Sequence, residues 1–295
     1  MLKSLEDLVD LAKGRKATVA LAGGEDIEAL KALKEARGEG IIENAIIFGK
    51  SKKTLENLES LELDFEASVF DSDEKVAEEA VKSVSSGKAQ VLMKGLVKTS
   101  TLLKAVLNKE WGLRSGKLLS HVILAHTPHV DKVYFITDGG MVIKPTLEQK
   151  VEIIKNAVDL AHKLGYENPN VALIAAVEVV NPDMPETMEA AIIAKMADRG
   201  QIKGASIDGP FGIDNAVSEF AAKVKGVEGK VAGNADILVV PDIHSGNFLG
   251  KSFVYFGGGI VAGLVVGARA PIVIVSRADT MKSKLLSLAL SMAVY

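Results

Sequence analysis

Short β-branched runs alternating with longer amphipathic segments constrain this chain more than any other feature. Ala17–Ala22 reads as a strand ending in Gly23-Gly24, and Glu25–Ala36 follows with helical spacing. Ala45–Phe48 is a second strand, closed by Gly49-Lys50-Ser51. Val69-Phe70-Asp71 ends another, and Ser72–Ser83 is a helix whose opening turn carries acidic residues that complement the helix dipole. Gln90–Met93 is the next strand. Leu119–Leu124 and Lys132–Ile136 are apolar with strand character, and Thr146–Leu164 is a long amphipathic helix stopped by Gly165. The alternation then resumes with strand Val171–Val177, helix Pro185–Asp198, strand Ala205–Asp208, helix Asp214–Lys225 and strand Asp236–Val240. Asn247–Gly267 reads as a glycine-interrupted apolar helix, Ile272–Val275 as a buried strand and Met281–Ala293 as the last helix. Such alternation implies right-handed crossovers and a parallel sheet, an α/β fold.

A chain of 295 residues exceeds what one core usually serves, so two domains are expected. The reading assigns 1–136 plus 270–295 to a discontinuous first α/β domain and 137–269 to a second. A net charge of -3 offers no long-range pull toward nucleic acid or an acidic membrane, so neither is an expected partner. Any bound anion must be held by local cations and backbone amides. The absence of cysteine excludes disulfides, thiolate metal sites and a cysteine nucleophile, and fits a cytoplasmic protein. The first residues read as an amphipathic helix rather than a signal peptide. His121, His126 and His129 lie close together without acidic companions at ligand spacing, so no metal site is expected.

Open α/β sheets bind ligands just beyond the carboxyl ends of their strands, which directs attention to three places. After Ile272–Val275 come Ser276, Arg277 and Asp279, a hydroxyl, a guanidinium and a carboxylate ahead of a helix. Either Asp279 or Thr280 could cap that helix, whereas Arg277 is suited to a two-pronged grip on phosphate. After Gln90–Met93 comes Lys94-Gly95-Leu96-Val97-Lys98-Thr99-Ser100-Thr101, which sets two amines and three hydroxyls before a helix over Leu102–Leu107. This is either a helix cap or an anion site built from amides and lysines. In the middle of the chain, strands end in Glu178–Asn181, Asp208-Gly209-Pro210 and Asp242–Asn247, an acidic and polar rim of the kind that borders a ligand site. No junction carries G-x-G-x-x-G or the P-loop pattern.

Taken together, Lys94–Thr101, Thr146–Lys150, Ala176-Val177-Glu178, Asp208-Gly209-Pro210, Asp214-Asn215-Ala216, Val231–Asp236, Val240-Pro241-Asp242, Gly246-Asn247 and Ser276-Arg277-Ala278-Asp279 resemble the phosphate acetyl/butyryltransferases, in that family's order. The Lys-Gly-Leu-Val and Ser-Arg-Ala-Asp segments are closer to the butyryl enzymes. The resemblance implies reversible exchange of CoA and phosphate on a short acyl group, with acyl-CoA, inorganic phosphate and acyl phosphate as small-molecule partners. CoA would be a substrate or product, and no cofactor would be tightly bound. It further implies two α/β domains flanking a cleft, as in the isocitrate and isopropylmalate dehydrogenases, and a homo-oligomer, a dimer or larger.

By the same resemblance Ser276 and Arg277 support catalysis, while Lys251 is a candidate contact to a CoA phosphate. Lys94, Thr99, Ser100, Thr101, Asp208, Gly209, Pro210, Asp242, Gly246 and Asn247 complete the expected substrate-binding set. Where the acetyl enzymes carry an aspartate proposed as base for the CoA thiol this chain has Ser283, which leaves Asp279 as the nearest available carboxylate. An arginine of the acetyl enzymes appears here as Tyr255. Two rival readings are a metal- and NAD-dependent hydroxy-acid dehydrogenase, for which Asp208, Asp236 and Asp242 lack the spacing, and a non-catalytic sensor of CoA or acyl phosphate.

Overall fold

The computed structural model describes residues 1–295 and divides the chain into two compact units. The terminal unit comprises Leu5–Lys117 and Ala262–Tyr295, and the central unit comprises Met1–Ser4 and Leu118–Val261.

The terminal unit begins with α1 (Asp7–Ala12), β1 (Thr18–Ala22), α2 (Ile27–Gly38), β2 (Asn44–Gly49) and α3 (Lys53–Ser60). It continues with β3 (Glu66–Val69), α4 (Asp73–Ser85), β4 (Val91–Lys94) and α5 (Thr99–Val106). Parallel pairing of β3 with β2, β2 with β1 and β1 with β4 gives the crossover sheet that the alternation predicts. Its inner strands β1, β2 and β4 carry the core, with Val19, Leu21, Ile47, Leu92 and Met93 all buried.

The central unit holds β5 (Ser120–His126), β6 (Tyr134–Thr137), α6 (Leu147–Lys163), β7 (Asn170–Ile174) and α7 (Pro185–Asp198). It then holds β8 (Ser206–Phe211), α8 (Ile213–Val217), α9 (Glu219–Lys225), β9 (Ile237–Val239) and α10 (Ile243–Tyr255). The strand order is β5-β6-β9-β7-β8, with β5 and β6 antiparallel and the other pairs parallel. Because β6 lies beside β9, residues 118–136 fall in this unit rather than in the first domain expected from the sequence. Phe211, Tyr134, Ile136, Leu238 and Val240 form its core. α6 opens with a reciprocal cap between Thr146 and Gln149.

The chain returns through β10 (Ile260–Val266) and β11 (Ile272–Val273) to α11 (Met281–Ala293). The single apolar helix expected over 247–267 is therefore two elements. Helix α10 stops at Tyr255, Gly257–Gly259 make the break, and the β-branched run that follows pairs antiparallel with β11. Gly259 is fixed there by crowding, since a Cβ would lie 2.3 Å from the His126 carbonyl oxygen. β11 is also shorter than expected, two residues paired in parallel with β4. A short apolar run without alternation reads equally as helix or strand, and here the glycines and β-branched residues decide it. Likewise Asp214–Lys225 is two helices, because Ser218 adopts extended backbone and caps the second through Ala221 N at 3.3 Å.

α11 packs against α1 and α2 and is buried along almost its whole length from Ser283 to Ala293. A helix covered on nearly every side lies inside the core, and this one, with Ser283, Lys284, Ser287 and Ser291 buried among its apolar residues, anchors the segment that precedes it.

Candidate active site

In the terminal unit the strand-end loops are shaped by their own side chains. Ser276–Asp279 forms a closed turn: Asp279 Oδ2 accepts from the Ser276 amide at 2.7 Å, and the Asp279 amide donates to the Ser276 carbonyl at 3.1 Å. Ser276 Oγ accepts from the Ala278 amide at 3.3 Å. The capping question resolves in favour of Thr280, whose hydroxyl accepts from Ser283 N at 3.3 Å. Asp279 thus holds the turn, and the side chains of Ser276 and Arg277 are left exposed at its tip.

Lys94 ends β4 and is 4% exposed. Its ammonium donates to the carbonyls of Gly95 at 3.0 Å and Val97 at 3.4 Å. Burial holds this amine below its ordinary range, helped by the positive charges of Arg277 and Lys284 and opposed by Asp26 and Asp279. β11 lies beside β4 in parallel, with Val273 opposite Met93, so Lys94 and the Ser276–Asp279 turn follow neighbouring strands at the same edge of the sheet. α5 starts at Thr99 rather than at Leu102, so Thr99, Ser100 and Thr101 occupy its first turn instead of preceding it. None of them caps the helix, and no acidic residue neutralises its N-terminal end. Exposed amides with a positive dipole end, a buried lysine and a guanidinium nearby suit an anion such as phosphate.

Two glycines set how closely these loops approach. A Cβ on Gly23 would lie 2.4 Å from Leu96 N, and one on Gly95 would lie 2.2 Å from the Gly23 carbonyl oxygen. Gly23 also has a φ of +100°, a backbone conformation that side chains disfavour. Leu96 N donates to that same Gly23 carbonyl at 3.0 Å, so the β1–α2 turn and the Lys94 loop are stitched together.

Sequence reasoning missed the next connection. Asp26 caps α2 through Ala29 N at 3.0 Å, and both its carboxylate oxygens accept from Lys284 of α11, at 2.8 and 2.7 Å. The available signal was a lysine inside an apolar helix pattern, which demands a partner wherever it is buried.

In the central unit, Asp208, Gly209 and Pro210 lie within β8, which continues to Phe211 across a register shift against β7 instead of ending at Asp208. Asp208 Oδ1 accepts from the Gly209 amide at 2.8 Å; burial raises this carboxyl, and the amide opposes the shift. Asp242 caps α10 by accepting from Ser245 N at 2.9 Å and Ser245 Oγ at 2.8 Å. Burial pushes the Asp242 carboxyl up, but the Ser245 bonds and His244 outweigh it, so the net shift is downward.

Gly246 lets α10 meet the turn after β6, since a Cβ there would fall 2.6 Å from Gly139 Cα. Asn247 and Lys251 follow, exposed and four residues apart on one helix face. Glu178, expected at a strand end, lies beyond the end of β7 and accepts from Asn215 at 3.0 Å and Lys225 at 3.2 Å. No helix of the protein is long and apolar enough to cross a membrane.

Comparison with known proteins finds relatives along the whole chain. The sequence profile described as phosphate acetyl/butaryl transferase matches residues 72–292. A phosphate butyryltransferase of Clostridium acetobutylicum is 43% identical over 100% of this chain and 99% of its own length. A phosphate acetyltransferase of Thermotoga maritima is also 43% identical, over 97% of this chain and 98% of its own. Among solved structures, a branched-chain phosphotransacylase from Enterococcus faecalis V583 superposes with a TM-score of 0.85 at 38% identity, covering 94% of this chain and 98% of that one. A 4-hydroxythreonine-4-phosphate dehydrogenase from Salmonella typhimurium, at 14% identity and a TM-score of 0.58 over 95% of this chain and all (100%) of that one, shares the fold alone. The α/β fold together with these relatives makes the protein a phosphate acyltransferase. The chain belongs to the phosphate acetyl/butyryl transferase family.

Proposed function

We propose that the protein exchanges CoA and phosphate on a short-chain acyl group, converting butyryl-CoA and phosphate into butyryl phosphate and CoA, and back. The observation that carries this is that the closed Ser276–Asp279 turn, with Arg277 exposed, follows β11 while Lys94 ends its parallel neighbour β4. Phosphate oxygen attacks the thioester carbonyl, a tetrahedral oxyanion forms, and the C–S bond breaks as the departing sulfur receives, by way of Asp279, the proton that phosphate gives up. Ser276 donates to the oxyanion, while Arg277 and Lys94, with the amides of Thr99, Ser100 and Thr101, take the phosphate. In reverse, Asp279 accepts the thiol proton before sulfur attacks. Attack is direct, because no histidine is paired with Ser276 to make it a nucleophile.

In this reading Lys251 and Asn247, on one face of α10, contact CoA, and Asp208, Gly209, Pro210, Asp242 and Gly246 complete the substrate-binding set. CoA is a substrate or product and no cofactor is tightly held. The working state is a homo-oligomer in the cytoplasm. The test is thiol release from acyl-CoAs of increasing length, from acetyl to hexanoyl, each with phosphate. Highest kcat/KM for butyryl-CoA supports the reading, a maximum at acetyl-CoA makes the protein an acetyltransferase, and no release with any of them leaves a sensor.

A further inference from the structure

Lys284 is 1% exposed and is the only charged residue of α11 between Ser283 and Ala293. Its ion pair with Asp26 joins residues 258 positions apart. A buried ion pair contributes little net stability, because desolvating both charges offsets their attraction, and an apolar pair of similar volume commonly serves a core as well or better. Stability alone therefore gives a weak reason for this pair, and its location gives a stronger one. Asp26 follows the Gly23-Gly24 turn, whose backbone lies against the Lys94 loop, and Lys284 sits in the first turns of the helix that carries the Ser276–Asp279 turn.

We propose that Asp26 and Lys284 are positioning residues for the exchange reaction. The pair ties the β1–α2 turn to the head of α11, so that Lys94 and Arg277 meet phosphate in one arrangement, and it balances the charge that Lys94 faces. This rests on the reading that Lys94 and Arg277 take phosphate. The charged groups acting on Lys94 are Arg277 and Lys284, which oppose its protonation, and Asp26 and Asp279, which favour it.

Opposite signs make the test specific. Asp26→Asn keeps an acceptor for Ala29 N but removes the negative charge, and Lys284→Met removes the positive one. In protein labelled with carbon-13 at the lysine ε-carbons, with the Lys94 signal assigned from Lys94→Arg, the Lys94 titration midpoint is expected to rise in Lys284→Met and fall in Asp26→Asn. Each variant should lose about 10²-fold in kcat for butyryl-CoA phosphorolysis, the scale of a misplaced reacting group. Lys284→Arg should recover much of that loss.

Should a single variant fail to fold, Asp26→Asn/Lys284→Met, free of any uncompensated buried charge, carries the test. It is expected to fold, to return the Lys94 midpoint toward that of the wild type, and to stay slow in kcat. Wild-type kcat in the double variant, or midpoints that move together or not at all in an active protein, overturns the inference. A wild-type protein without phosphorolysis overturns the exchange reading instead.

Discussion

Asp279 Oδ2 accepts the Ser276 amide proton at 2.7 Å, so the carboxylate proposed as base is also the clasp of the turn that presents Arg277. The two roles separate by substitution. Asp279→Asn keeps an oxygen that can accept from Ser276 N but cannot take a thiol proton. It is expected to keep the wild-type Tm while the rate from butyryl phosphate and CoA falls by about 10²–10⁴, the usual worth of a general base. Asp279→Ala should lose the turn as well, with phosphate KM rising beyond its value in the asparagine variant. Equal rates for wild type and Asp279→Asn would leave Asp279 as a clasp only.

Lys94 makes a prediction about pH. Its amine is held below the ordinary lysine range in the folded protein, first by burial. Between that lowered value and the unfolded value of about 10.4, the unfolded chain binds the extra proton, so stability should rise with pH across this window. Below the window the lysine is charged in both states and its burial counts fully against folding; above the window it is neutral in both. Lys94→Met should remove this rising component and sharply raise the phosphate KM. Urea midpoints measured at intervals of pH from neutral to 10 check the first part. A rising component unchanged in the variant would assign it to another group.

The crossover architecture was legible in the sequence because both periodicities were strong. Helix Pro185–Asp198 and the long helix after Thr146 lie where their caps and apolar spacing predict them. The strand after Gly257–Gly259 could not be read from periodicity, since an unbroken apolar run has no period to set it apart from a buried helix, and only its glycines and β-branched residues point to a strand. Of the candidate site, Ser276 and Arg277 stood out because they follow an apolar strand, and Lys94 because it ends one. The partnership of Asp26 with Lys284 could not, because no local pattern encodes a contact across nearly the whole chain. Asp242 and Gly246 were legible as special residues, yet a cap and a close helix approach look the same in sequence as a ligand contact.

Gly246→Ala tests that close approach. The added methyl would meet the Gly139 backbone, which cannot swing aside as a long side chain would. A loss of about 1–3 kcal/mol is expected from such overpacking, read as a lower urea midpoint at unchanged m-value. A variant as stable as the wild type would show that α10 shifts freely.

Lys251 lies exposed on α10. An exposed cation gripping a phosphate of CoA contributes modestly and is screened by salt. Lys251→Ala should therefore raise the KM for CoA several-fold, less so at high ionic strength, and leave the KM for phosphate unchanged. A change confined to phosphate would move Lys251 to the other substrate.

The most direct test is thiol release from butyryl-CoA and phosphate by the wild-type protein and by Arg277→Ala, with the fold of each checked by its Tm. A preset charge on the transition state is worth about 10²-fold or more in turnover. The expected result is rapid release by the wild type and at least that loss in Arg277→Ala at unchanged Tm. Equal release by both proteins would contradict the account, because the guanidinium would then have no part in the exchange of sulfur for phosphate.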